Sequence, residues 1–182
     1  MSPSHPDAWV LRDLAVTLAR SAGDLLTTGR VNDLLPGTKS SPTDLVTVMD
    51  RAAERLVLDG LHEARPEDAV LAEESGAREG STNVRWIVDP LDGTVNYYYG
   101  IPAYGVSIAA EVDGVVVAGA VYSALHRVVF DAVLNGGARF SGVTACCSSV
   151  TDLSLSLVGT GFSYFAERWP RSGRRRTTSA DS

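Results

Sequence analysis

The stretch Asp89-Pro90-Leu91-Asp92-Gly93-Thr94-Val95-Asn96-Tyr97 constrains this chain more than any other. It follows Trp86-Ile87-Val88, an apolar run that reads as a buried strand. Pro90 fixes its own φ and has no N–H, so the strand is expected to stop there. Asp89 and Asp92 then stand three positions apart at a strand end. Gly93 admits a backbone shape that a side chain forbids. Thr94 adds a hydroxyl and, with Gly93, backbone N–H groups at an expected helix start. Carboxylate oxygens suit a hard cation such as Mg2+. N–H groups at a helix start suit phosphate. Both halves of a metal-assisted phosphate site thus fit between Asp89 and Thr94. The plain alternative is a Pro/Gly turn with Asp caps.

Composition narrows the class. The 182 residues are 45% hydrophobic and 21% charged, enough for one substantial core in a globular protein. A net charge of −6 argues against a general nucleic-acid binder. No run of apolar residues is long enough for a transmembrane helix. The first residues lack the basic start and apolar core of a secretory signal. Cys146 and Cys147 are adjacent, which suits neither a disulfide nor a zinc site. A cytoplasmic protein with reduced thiols is the expectation.

Apolar spacing predicts a helix from Trp9 to about Thr28, closed by Gly29. A second helix is expected to run to about Glu63, capped by Asp44 or Thr47. Ala69–Ala72 reads as a short strand, and Gly76 to Asn83 as a mobile loop. Tyr104–Glu111, Val115–Tyr122 and Val128–Val133 read as strands, with Asp113-Gly114 as a hairpin turn. Asn135 to Ala138 reads as a turn, Ser141–Asp152 as a Ser/Thr-rich connection, and Leu153–Val158 as a strand. The tyrosines at 97–99 are expected to pack locally at the rim of the site. His62 and His126 are expected at the surface. Antiparallel hairpins with helices indicate a layered α+β domain, not a doubly wound sheet.

The nine-residue string resembles the signature of the inositol monophosphatase family, Asp-Pro-(Ile/Leu)-Asp-Gly-Thr-x-Asn-(Phe/Tyr). The resemblance extends over about Trp9 to Phe162. It includes Lys39-Ser40-Ser41-Pro42-Thr43-Asp44-Leu45-Val46-Thr47, and Glu73-Glu74-Ser75 preceded by Ala72 where the family usually has Gly. It implies the N-terminal half of an inositol monophosphatase/fructose-bisphosphatase-like fold: an αβ sandwich with two helices packed on a largely antiparallel sheet. It also implies site roles. Glu73, Asp89, Asp92 and the carbonyl of Leu91 would ligate Mg2+. Asp50 and Thr94 would polarise the attacking water. Gly93 and Thr94 N–H groups would bind phosphate, and Lys39, the only lysine, would lie close to the metals.

The implied activity is hydrolysis of a small phosphate monoester, myo-inositol phosphate first. Histidinol phosphate, fructose 1,6-bisphosphate or a phosphorylated nucleotide would serve in related phosphatases. A non-catalytic binding or oligomerisation module is the alternative from another class, with a homodimer formed through an exposed sheet edge. Residues 1–166 are expected to form the metal-binding domain. Residues 167–182, with five arginines against two acids, read as a disordered or non-native tail. The family's second α/β domain, with a metal-binding Trp-Asp motif, has no counterpart in this sequence. The expectation is a truncated or frame-shifted reading of a longer gene, with very low phosphatase activity by itself.

Overall fold

The structure is a computed structural model, and it describes residues 7–33 and 48–159. Of the described residues, those up to 146 form one compact unit, and 147–159 belong to a second.

In the first unit, helix α1 spans Ala8–Asp33. Asp7 caps it, its Oδ1 accepting the Trp9 N–H at 2.9 Å. Leu11, Ala15, Leu18, Ala22 and Leu26 recur at helical spacing and are all buried. The helix does not close at Gly29. That residue instead leaves room for the Met49 side chain, whose atoms occupy the place of a Cβ. Helix α2 spans Val48–Ala64 and buries Asp50, Ala53, Glu54, Val57 and Leu61. The expected caps Asp44 and Thr47 lie outside the described residues, as do Lys39 and the expected domain limit at 166/167.

The strands are β1 (Ala69–Ala72), β2 (Gly76–Arg78), β3 (Val84–Asp92), β4 (Gly105–Val112), β5 (Val115–Ser123), β6 (Val128–Val133), β7 (Gly137–Phe140) and β8 (Val143–Ala145). They form one sheet in the order β2-β1-β3-β4-β5-β6-β7-β8. Among the described residues only β1 and β3 pair in parallel; every other pairing is antiparallel. Alternation of apolar residues puts Trp86, Val88, Ile108, Ala110, Ala120 and Tyr122 into the core with α1 and α2. Burying each large apolar side chain contributes roughly 1.5–3 kcal/mol. Among the described residues, no helix is long and apolar enough to cross a membrane.

Other expectations change as well. β3 does not stop before Pro90 but runs on to Asp92. Its ladder with β4 pairs Asp89 with Ser107 and then Asp92 with Gly105, so three steps on β3 oppose two on β4. That slip is a bulge, and it absorbs the residue with no N–H to give. The supposed loop after Glu74 contains β2, hydrogen-bonded to β1. The turn at Asn135 feeds β7, and the Ser/Thr-rich connection contains β8. In the second unit, Leu153–Leu155 is a 3-10 turn, not a strand. The Asp152 carboxylate accepts the Ser154 N–H at 2.8 Å, and this local cap competes with extended backbone.

Candidate active site

Parallel pairing of β1 and β3 puts their carboxyl ends side by side. Ala72 is in register with Val88, and the Glu73 N–H donates to the Val88 carbonyl at 3.2 Å. The next residue on each strand is therefore an acid beside an acid, Glu73 and Asp89. The Glu73 side chain helps to hold the proton on Asp89. Ala72, where the family usually has Gly, sits in ordinary strand conformation and is buried.

The bulge completes the arrangement. Residues three apart on a regular strand face opposite ways. One extra residue between them turns that odd spacing even, which brings Asp92 to the side of Asp89. Asp89 also accepts the Leu91 N–H at 3.2 Å. Gly93 follows with φ 85°, a left-handed conformation. A Cβ there would stand 2.7 Å from the Ala103 carbonyl oxygen, so glycine is required for shape as well as for space. Asn96 donates its side-chain N–H to that same carbonyl at 2.7 Å, fixing the loop over Gly93.

Helix α3 (Thr94–Tyr99) opens directly after Gly93. At six residues its dipole is weak, so any phosphate contact would rest on the Gly93 and Thr94 amides themselves. Tyr97 anchors it. Its hydroxyl donates to the Leu26 carbonyl at 3.0 Å, and its ring meets Tyr104 edge-on at 5.0 Å. Tyr98 and Tyr99 are exposed. The Thr94 hydroxyl donates to the Leu91 carbonyl at 3.0 Å. One hydroxyl proton cannot serve Leu91 and Asp50 together, and in this geometry it serves Leu91.

Asp50, on the first turn of α2, is buried to 3% exposure. Burial pushes its carboxyl up to about 7, helped by the charges of Glu74, Glu73, Asp89 and Glu54. Burial likewise pushes Asp89 up to about 7, followed by the charge and hydrogen bond of Glu73 and the charge of Asp92; the Leu91 N–H pulls weakly the other way. The acids of α2, the end of β1 and the bulge of β3 thus lie near enough to act on one another's charge: Glu73 and Asp89 on Asp50, Glu73 and Asp92 on Asp89.

Among the described residues, no three Asp, Glu, His or Cys side chains stand as a group that could hold a metal ion as they are. The chemistry of the donors still fits a hard divalent cation. They are oxygens only, and two of the acids are forced toward protonation by mutual repulsion and burial, which a cation relieves. His62 and His126 are exposed, and His126 pairs with Ser123. The cysteines are free and exposed.

Three residues escape a reading of the sequence, the first two of them in the site region. Glu54 is buried and its Oε2 accepts the Glu74 N–H at 3.0 Å. Its signal is an acid on the apolar stripe of α2, one turn after Asp50. Asn96 falls within the string but shows its part only through Ala103. Asp68, just before β1, accepts from Arg65, Thr82 and the Trp86 indole, at 2.7, 2.7 and 2.9 Å.

Fold and site define a class: a layered α+β protein whose parallel strand pair gathers acidic oxygen donors beside a glycine-opened turn. Comparison with known proteins makes this particular. The model of the inositol monophosphatase family matches residues 8–175, and the chain belongs to that family. It is 50% identical over 139 residues to an inositol-1-monophosphatase of Mycobacterium leprae, covering 71% of this chain and 48% of that one. It is 33% identical over 167 residues to the Nus factor SuhB of Escherichia coli, covering 91% of this chain and 61% of that one. The crystal structure of the extragenic suppressor protein suhB from Bartonella henselae superposes with a TM-score of 0.72 at 35% identity, covering 78% and 55% of the two chains. The chain thus spans about half to three-fifths of the length of these relatives.

Proposed function

We propose that the chain carries the metal-binding half of a Mg2+-dependent phosphate monoester hydrolase, with an inositol phosphate as substrate. The observation that carries this is the parallel register that sets Glu73 beside Asp89 at the strand ends, just before the Gly93 turn. Glu73, Asp89, Asp92 and the Leu91 carbonyl would hold Mg2+, with Asp89 and Asp92 the donors left for a second ion. When bound, Mg2+ neutralises the phosphate dianion and stabilises the leaving oxygen.

The chain's own groups do the rest. Asp50, pushed up to about 7, is poised to take a proton from water near neutral pH. Thr94, directly after Gly93, would orient that water with Asp50 once its hydroxyl swings away from Leu91. The Gly93 and Thr94 amides would receive phosphate oxygens, and Lys39 would add a positive charge. Such a site works on a small phosphorylated molecule in the cytoplasm.

The test is release of inorganic phosphate from inositol 1-phosphate with and without Mg2+. Release should be Mg2+-dependent and abolished by Asp89→Asn. Hydrolysis that ignores Mg2+, or survives that substitution, overturns the proposal. The relatives named Nus factor favour a second reading, a non-catalytic binding module. It predicts the same fold with no Mg2+-dependent release at all.

A further inference from the structure

Glu54 is a buried acid set among other acids, where its charge adds to the load on Asp50. Burying a carboxylate is costly unless its oxygens are used. One use is plain. Its Oε2 accepts the backbone N–H of Glu74 at 3.0 Å, across 20 residues of sequence. The neighbouring residue, Glu73, is tied on its other side, its N–H donating to the Val88 carbonyl of β3. The short segment leaving β1 is therefore held twice, to β3 through backbone and to α2 through Glu54.

We infer that Glu54 is a positioning residue: it clamps the Glu73–Glu74 peptide so that the Glu73 carboxyl stays against Asp89, and it does so through its hydrogen bond, not its charge. This rests on the proposal that Glu73 and Asp89 hold Mg2+. Asp50 and Glu54 lie one turn apart on the same buried face of α2. One helix face thus supplies both the acid that meets water and the anchor that sets the facing strand end.

Two conservative substitutions separate bond from charge. Glu54→Gln keeps an acceptor of the same reach and removes the charge. Glu54→Asp keeps the charge and shortens the reach by one methylene. Mg2+ affinity of the full chain is measured by calorimetry, and protection of the Glu74 amide by hydrogen exchange without metal. Glu54→Asp is expected to weaken Mg2+ binding about 10–100-fold, the usual effect of disturbing a group behind a metal ligand, and to expose the Glu74 amide. Glu54→Gln is expected to lose far less and to keep that amide protected. Equal binding by Glu54→Asp and wild type overturns the inference, as does a loss in Glu54→Gln matching that in Glu54→Asp. Wild-type protein that binds no Mg2+ overturns the metal site itself, and the inference with it. That result is distinct from wild-type binding left untouched by either substitution.

Discussion

Asp50 and Asp89 hold their protons up to about pH 7 when folded, against an ordinary value of 3.8. The sign follows from proton counts. Between about pH 4 and 7 the folded chain binds more protons than the unfolded one, so stability falls as pH rises through this range and levels off above it. Metal-free protein should therefore melt at a higher temperature at pH 5 than at pH 8 as far as these two groups decide it. Asp89→Asn should flatten that slope. Mg2+ must displace those protons, so its affinity should rise with pH through about 7. Calorimetry at pH 6.5 in two buffers of different ionisation heat should show proton release; none would mean that the cation lands elsewhere. The acids of the signature string were legible because chemistry was written in consecutive residues. Glu54 was not, because its worth depends on an amide 20 positions away. Asp50 stands out in the sequence as an acid near the start of an apolar stripe, but its role comes only from the resemblance, since an acid in the first turn of a helix is ordinary.

Strands were readable where one face is buried. Val128–Val133 and Ala69–Ala72 follow the period of two, and both bounds agree with the structure. β2 and β8 have no buried residue, so no alternation marks them. Leu153–Val158 alternates yet finds no partner strand among the described residues, and its local Asp152 cap prevails. The run of β3 through Pro90 was missed because a bulge is set by the neighbouring strand, not by the proline. The start of β1 relies on a buried knot at Asp68. Burial alone would raise the pKa of Asp68, but hydrogen bonds from Arg65, Thr82 and Trp86 outweigh it and hold the carboxyl below its ordinary 3.8. A depressed value gives stability that is present above pH 3.8 and lost on acidification below it. Asp68→Ala should cost about 1–3 kcal/mol in denaturant unfolding, because it leaves the buried Trp86 N–H without its acceptor while the partly exposed Arg65 turns to water, and should loosen the turn joining α2 to β1. A cost within about 0.5 kcal/mol, that of an ordinary surface change, would show that the knot is dispensable.

The layered α+β class was legible because helical and strand periods are local. The order of the sheet was not. Nothing in Ala69–Ala72 says that it lies between β2 and β3, or that it runs parallel to β3. Yet that one parallel pairing makes the site, since it delivers Glu73 to Asp89. The acids then come from three elements far apart in sequence: α2, the end of β1 and the β3 bulge. A cation held among them would cross-link the folded chain and find no such site in the unfolded one. Stability should therefore follow ligand occupancy, with a gain of about 2.7 kcal/mol at a Mg2+ concentration one hundred times its Kd. For a chain of this size each kcal/mol raises Tm by roughly 2–4 °C, so saturating Mg2+ should raise it by roughly 5–10 °C over protein in EDTA. Asp89→Asn should remove most of that rise while leaving the EDTA melt at least as high as wild type, because it relieves the crowding of acids. A Tm indifferent to Mg2+ at every concentration would mean that the three elements are held together by the core alone.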